Sequence, residues 1–477
     1  MARRQVGLLN PIADHKHGGL TDQLVETLRE MILDGVFEPG QKLPGSRIMA
    51  RDAGVSRATV LAAVEALTSE GLLESRDRSG TYVAWREGKA ADRAEPRPSV
   101  ADDGELVPFA ACTAPIDLFP LNIWRRLQTR RWWSMPRSAL SEYQRAGVPE
   151  LREAIATNLR ISRGVKCDAD QVFVTTGAEM AILLAATAAG AEGALAWAED
   201  PIFSRPCAAL RAGGVTPIPI PLDASGISVH IGKQIAPDAR LAVVMPSSQY
   251  PSTVTMTAER KQELLDWAIA HDSLIIEDDY DCEYLPGDAP RPIAALSRGR
   301  EHVIYVNTFG RTLFPSLRLG YLVAPPKLVD GLHEARRLIG GDTTTPNQLV
   351  LCDFLTGGHF ARHMRQSREA FAVRRQTLME ELEKSVVAPL NFTNPAPTSH
   401  FCLNLPPDVD DAALAQRAAD IGIHVKPLSR FVVGQDKSRG LILGFGPHPP
   451  QAIVAAVARF APLLNDVLAR APKPKVA

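Results

Sequence analysis

The chain has 477 residues, 45% of them hydrophobic and 22% charged, and its 53 Lys and Arg against 54 Asp and Glu give a formal net charge of -1. That length exceeds what one core organises and predicts at least two units, while the composition excludes a disordered chain. Balanced charge excludes a polybasic coat, so any nucleic-acid site must be local.

The first elements form a compact series. From Thr21 to Asp34, Leu24, Leu28, Met31 and Ile32 recur on one helical face, with Thr21 read as the cap. Turn-forming GVFEPGQKLP leads to a short helix, Ser46 to Ala53, ended by Gly54. Ser56 caps a third helix whose Val60, Val64 and Leu67 point inward and whose Arg57, Ala58, Thr59 and Ala62 point to solvent. LLESRDRSGTYVAW then reads as a hairpin with Asp77, Arg78, Ser79 and Gly80 at its tip. Short helix, glycine turn, capped helix and hairpin follow the order of a winged helix-turn-helix, which binds double-stranded DNA. The front piece carries a formal charge near zero, so a basic face must come from arrangement.

These stretches, EPGQKLPGSRIMARDAGVSRATVLAAVEAL and GLLESRDRSGTYV, resemble the winged modules of the GntR family of bacterial transcription factors. The resemblance implies DNA contacts from Arg47, Arg57, Thr59 and the Gly80 backbone. Arg57 and Thr59 stand at the start of the recognition helix, where side chains reach base edges. The reading assigns residues 1–85 to this domain, 86–108 to a linker rich in charge, Pro and Asp, and 109–477 to a second domain.

Beyond the linker, β-rich and helical runs alternate: QVFVTTG, AEMAILLAATAAG, LAVVMPSSQYP, ERKQELLDWAIAHD, LIIEDDYDCEY, HVIYVNTFG and LGYLVAPP. This is α/β patterning with a mostly parallel sheet. The apolar stretch Ala181 to Trp197 within it reads as a buried helix and then a strand, not a membrane span. Polar clusters fall at the strand ends, where such sheets bind ligands. The N-terminus lacks an export signal, which places the protein in the cytoplasm with no membrane partner. Six scattered cysteines without a CxxC pair read as buried thiols, with no metal site.

Together the motifs resemble fold-type I pyridoxal-phosphate enzymes of the aminotransferase class and, with the winged front piece, the MocR subfamily of GntR regulators. The resemblance implies that Asp278 faces the cofactor's ring nitrogen, Tyr280 its ring hydroxyl and Phe203 its ring face. It places Gly177, Ala178 and Glu179 at the phosphate cup with Thr308 and Arg318, and implies that Arg205 holds a ligand carboxylate. Arg430 and Arg439 are candidates for a second carboxylate clamp.

Three departures stand out. Where the family has a Schiff-base lysine, in a motif resembling TFSKTLFP, this chain has Arg311. A guanidinium stays protonated and is no amine nucleophile, so transamination is expected to be absent. Glu179 brings a carboxylate to the phosphate cup, a repulsion of roughly 4 kcal/mol at about 4 Å and an effective dielectric near 20. Ile202-Phe203 stands where the family has Gly-Tyr. Arg311 is expected to pair with Glu179 or Asp278, or to grip an anionic effector. The reading is a transcription regulator that forms a head-to-tail homodimer and senses a small anionic molecule, with pyridoxal phosphate bound noncovalently if at all. The alternative is a pyridoxal-phosphate-dependent aminotransferase with an accessory DNA-binding domain.

Overall fold

The structure, a computed structural model, describes residues 19–33, 36–76, 79–84, 107–111, 113–137, 139, 144–286, 289–393, 398–434 and 438–470. The chain forms two compact units, Met1–Gly104 and Glu105–Ala477. Most of the expected linker, with Cys112 and the wing-tip residues Asp77 and Arg78, lies outside the described residues. Val107 and Pro108, read as the linker's end, are bonded into the second unit: their carbonyls accept from His448 and from the His424 amide.

In the first unit, helices Leu20–Leu33, Ser46–Ala53 and Arg57–Ser69 enclose a core of Leu24, Leu28, Ile32, Met49, Val60 and Leu67. The first helix begins at Leu20, so Thr21 lies inside its opening turn instead of capping it. Gly54 ends the second helix at φ 68°, a left-handed conformation that costs glycine little. Ser56 caps the third, accepting from the Thr59 amide. Strands β1 (Leu73–Arg76) and β2 (Gly80–Val83) pair as an antiparallel hairpin.

The second unit is built on an eight-stranded sheet of β3 (Val172–Thr175), β4 (Leu195–Asp200), β5 (Thr216–Asp223), β6 (Gly226–Ile227), β7 (Leu241–Val244), β8 (Leu274–Asp278), β9 (Val303–Thr308) and β10 (Gly320–Val323). Their order is β3-β10-β9-β8-β7-β4-β5-β6. The run from β9 through β8, β7 and β4 to β5 is parallel, whereas β10 runs antiparallel to both neighbours and β6 to β5. Successive side chains enter cores on opposite faces, Ile275 on one and Ile276 on the other. A four-stranded antiparallel sheet follows, β11 (Asn391–Phe392), β12 (His400–Leu405), β13 (Lys426–Pro427) and β14 (Arg439–Gly444), in the order β11-β12-β14-β13. Helix Pro450–Arg470 is long and apolar enough to cross a membrane, but its Ile453, Val457, Phe460 and Leu464 are buried in the main core.

β10 decides where the site forms. Its Gly320 lies opposite Thr175 of β3 and Thr308 of β9, so the turns after both strands meet at one end of the sheet. A Cβ on Gly320 would stand 2.9 Å from the Asn307 carbonyl oxygen and 3.1 Å from the Gly177 Cα, so only glycine permits that approach.

Candidate DNA-binding face and ligand cavity

On the winged unit, Arg47 and Arg57 are exposed, and the Arg57 Nε donates to Ser46 Oγ at 3.1 Å. The hydroxyl of Thr59 lies 2.8 Å from that of Ser56, and the residue is half-buried, so it is partly occupied by the helix cap. Gly80 opens β2 at φ 117°; a Cβ there would lie 2.7 Å from Lys42 Cε.

In the second unit, strand ends and the turns that follow enclose a cavity of about 330 Å³. Gly177, Ala178, Glu179, Phe203, Arg205, Asp278, Tyr280, Thr308, Arg311 and Arg318 all line it. Arg430 does not: it sits in the turn Leu428–Phe431, outside the lining, and Arg439 opens β14 with its guanidinium on the Ser438 carbonyl. The residue that enters from this part of the chain is Lys426 of β13, its Nζ 5.9 Å from the centre of the Phe203 ring. Sequence reasoning missed it, since a lysine on a two-residue edge strand carries no motif; only the β13–β14 pairing, Lys426 opposite Ile442, brings it in.

Adjacent acids at the end of β8 have opposite fates. Asp279 is buried and held by Arg163 at 2.9 Å and by the Tyr305 hydroxyl at 2.7 Å. Asp278 faces the cavity with Oδ1 buried and without a hydrogen-bond partner among the described residues. Burial pushes its carboxyl up to about 7, against the lowering charge of Arg311 and with further upward push from Asp279, Glu179 and Asp281. An unsatisfied buried carboxylate oxygen costs free energy that a ligand donor removes.

The acid that Arg311 meets is one the sequence did not suggest. Its Nε lies 3.4 Å from Asp281 Oδ1, and its guanidinium sits 4.9 Å from the centre of the Tyr280 ring. Asp281 Oδ2 in turn accepts from the Ser399 hydroxyl at 2.6 Å. Glu179 is engaged by Arg205 at 2.9 Å. Burial raises the Glu179 carboxyl, but the Arg205 hydrogen bond and charge outweigh it and leave the group lowered. The repulsive carboxylate at the helix start is thereby neutralised, and the arginine expected to hold a ligand carboxylate is the group that neutralises it.

Asp278, Phe203 and Tyr280 suit an aromatic nitrogen heterocycle, and the start of helix Ala178–Ala188 with Thr308 and Arg318 suits an oxyanion. Arg311 supplies no amine for a covalent bond to an aldehyde. No group of His, Cys, Asp and Glu among the described residues could hold a metal ion.

A winged helix-turn-helix followed by an aminotransferase-type α/β unit defines a class, and comparison with known proteins places the chain within it. Residues 20–83 match the model for bacterial regulatory proteins of the gntR family, and residues 133–442 match that for aminotransferase class I and II. The probable rhizopine catabolism regulatory protein MocR of Rhizobium meliloti is 32% identical over 90% of this chain and 91% of its own. The transcriptional regulator TauR of Rhodobacter capsulatus is 30% identical over 95% and 98%, and the pyridoxine biosynthesis regulator PdxR of Corynebacterium glutamicum 29% over 92% and 94%. Among solved structures, an archaeal alanine:glyoxylate aminotransferase superposes with a TM-score of 0.70 at 22% identity, covering 76% of this chain and 91% of that one. LysN, the α-aminoadipate aminotransferase of Thermus thermophilus, gives 0.68 at 22% over 77% and 94%, a likeness of fold. The chain belongs to the MocR-type regulators of the GntR family.

Proposed function

We propose that this protein is a cytoplasmic, homodimeric transcription regulator that binds operator DNA through Arg47, Arg57, Thr59 and Gly80. Its aminotransferase-type domain binds a small anionic effector and does not transaminate. The observation that carries the reading is the cavity itself. It keeps a buried carboxylate oxygen for a ring nitrogen, Asp278 Oδ1, with no hydrogen-bond partner among the described residues, but presents a guanidinium paired with Asp281 at residue 311, where the family's lysine is expected. Pyridoxal phosphate, when bound to a protein, supplies an electron sink for amine chemistry. This chain's residues would hold such a ring noncovalently: Asp278 at its nitrogen, Phe203 against its face, and Thr308 and Arg318 at its phosphate. Effector occupancy would then bias operator affinity by roughly 1–3 kcal/mol, the usual scale of coupling between sites. Dimerisation is supported by the exposed apolar residues Leu121, Trp132 and Trp133 at the start of the second unit.

Titration with pyridoxal phosphate, followed by both the visible spectrum and the melting temperature, tests the reading. Saturable stabilisation without a borohydride-sensitive absorbance band is the expected result. Such a band would overturn it in favour of the aminotransferase alternative, and no stabilisation at any concentration would overturn the assignment of the cavity to this ligand.

A further inference from the structure

A second and larger cavity, of about 1270 Å³, opens in the same unit and shares no lining residue with the strand-end cavity. It is bounded by helix Pro149–Ser162, by residues 282–286 and 289–291, and by the start of helix His359–Ser385. Ile161, Leu285, Leu355, Phe360 and Met364 give it apolar walls, while Glu283 and the buried Tyr321 of β10 supply polar groups. Glu283 is unevenly satisfied. Its Oε1 accepts from Asn307 Nδ2 at 3.0 Å, whereas Oε2 is buried without a hydrogen-bond partner among the described residues. Burial pushes the carboxyl up to about 7, and the nearby acids Asp279 and Asp281 push in the same direction.

The cations around this cavity do not answer that carboxyl. Arg163 is committed to Asp279 at 2.9 Å and Arg160 to Glu153 at 3.0 Å. Arg368 reaches Glu283 at its backbone carbonyl, 3.0 Å away, and both Arg368 and Arg291 are exposed at the rim, where water and salt screen their charge. A buried carboxylate oxygen without a donor costs free energy, and an arriving cationic N–H recovers it through a charge-assisted bond. We propose that this cavity is a second small-molecule site, which takes a primary amine carried on an apolar body. The ammonium meets Glu283, and the carbon skeleton packs on Leu355, Phe360 and Met364. The site stands independently of any reading of the strand-end cavity. Asn307 touches both regions, since its Oδ1 accepts from the amide of Thr308, which lines the strand-end cavity.

The test is calorimetric titration of the full-length protein with phenethylamine and with phenethyl alcohol, which share an apolar body and differ in the ammonium. The wild-type protein is expected to bind the amine about tenfold more tightly, the effect of one charge-assisted hydrogen bond. Glu283→Gln keeps the side chain's shape and an oxygen for Asn307. It should bring the two probes within about twofold of each other while leaving the affinity for the alcohol unchanged. Leu355→Trp, which fills the apolar side of the cavity, should weaken both probes. Asp278→Asn removes the rival acid and should leave the preference for the amine intact. Equal binding of the two probes by the wild type, binding of neither, or an undiminished preference in Glu283→Gln would overturn the proposal. Loss of the preference in Asp278→Asn alone would overturn it as well, by placing the amine in the strand-end cavity.

Discussion

Asp278 shows how a single carboxyl can be spent on a site at the expense of its surroundings. Its folded pKa of about 7 comes first from burial, and the unfolded value lies near the ordinary 3.9 for aspartate. A carboxyl raised on folding binds more protons in the folded state between those values, so its contribution to stability is fully present below about pH 4 and is lost as pH rises through 7. Asp278→Asn never ionises. The melting temperature of the ligand-free variant, relative to the wild type, should therefore climb between pH 5 and pH 8. A relative melting temperature that is flat or falls over that range would show that Asp278 is not the strained group.

The recognition helix, Arg57–Ser69, presents its N-terminal turn because Val60, Ala63 and Leu67 fix the opposite side in the core. Ser56 caps it, and Arg57 is steadied by Ser46 of the preceding helix, so a long side chain is held ready at the position from which helices of this type read the major groove. Arg57→Ala is expected to weaken specific operator binding by roughly 1–3 kcal/mol in fluorescence anisotropy at fixed salt, while non-specific binding changes far less. Equal losses on operator and random DNA would make Arg57 a phosphate contact.

For the whole molecule, the exposed surface at the start of the second unit predicts assembly. Trp133 is 88% exposed and Trp132 54%, on a helix whose Trp124 and Leu127 face the core. Exposed tryptophans in a pair mark an interface more often than bare surface. Sedimentation velocity at micromolar concentration should show a wild-type dimer and a folded Trp133→Glu monomer. A monomeric wild type would remove dimerisation from the proposed function, and a dimeric variant would place the interface elsewhere.

The sequence by itself determined the elements and the chemistry each could carry. The helix periodicities of the winged unit, the Gly54 and Ser56 punctuation, the alternation of strands and helices after residue 109, and the guanidinium at residue 311 are local properties that neighbouring residues encode. Only the tertiary structure decided who meets whom. Pleating turned Asp278 into the cavity and Asp279 toward Arg163; helix Ser204–Ala212 swung Arg205 onto Glu179; and the turn after β9 carried Arg311 to Asp281. The register of β13 on β14 brought in Lys426 while leaving Arg430 outside. These pairings join residues far apart in the chain through strand order and side-chain direction, and a periodicity that spans a few residues holds no record of either.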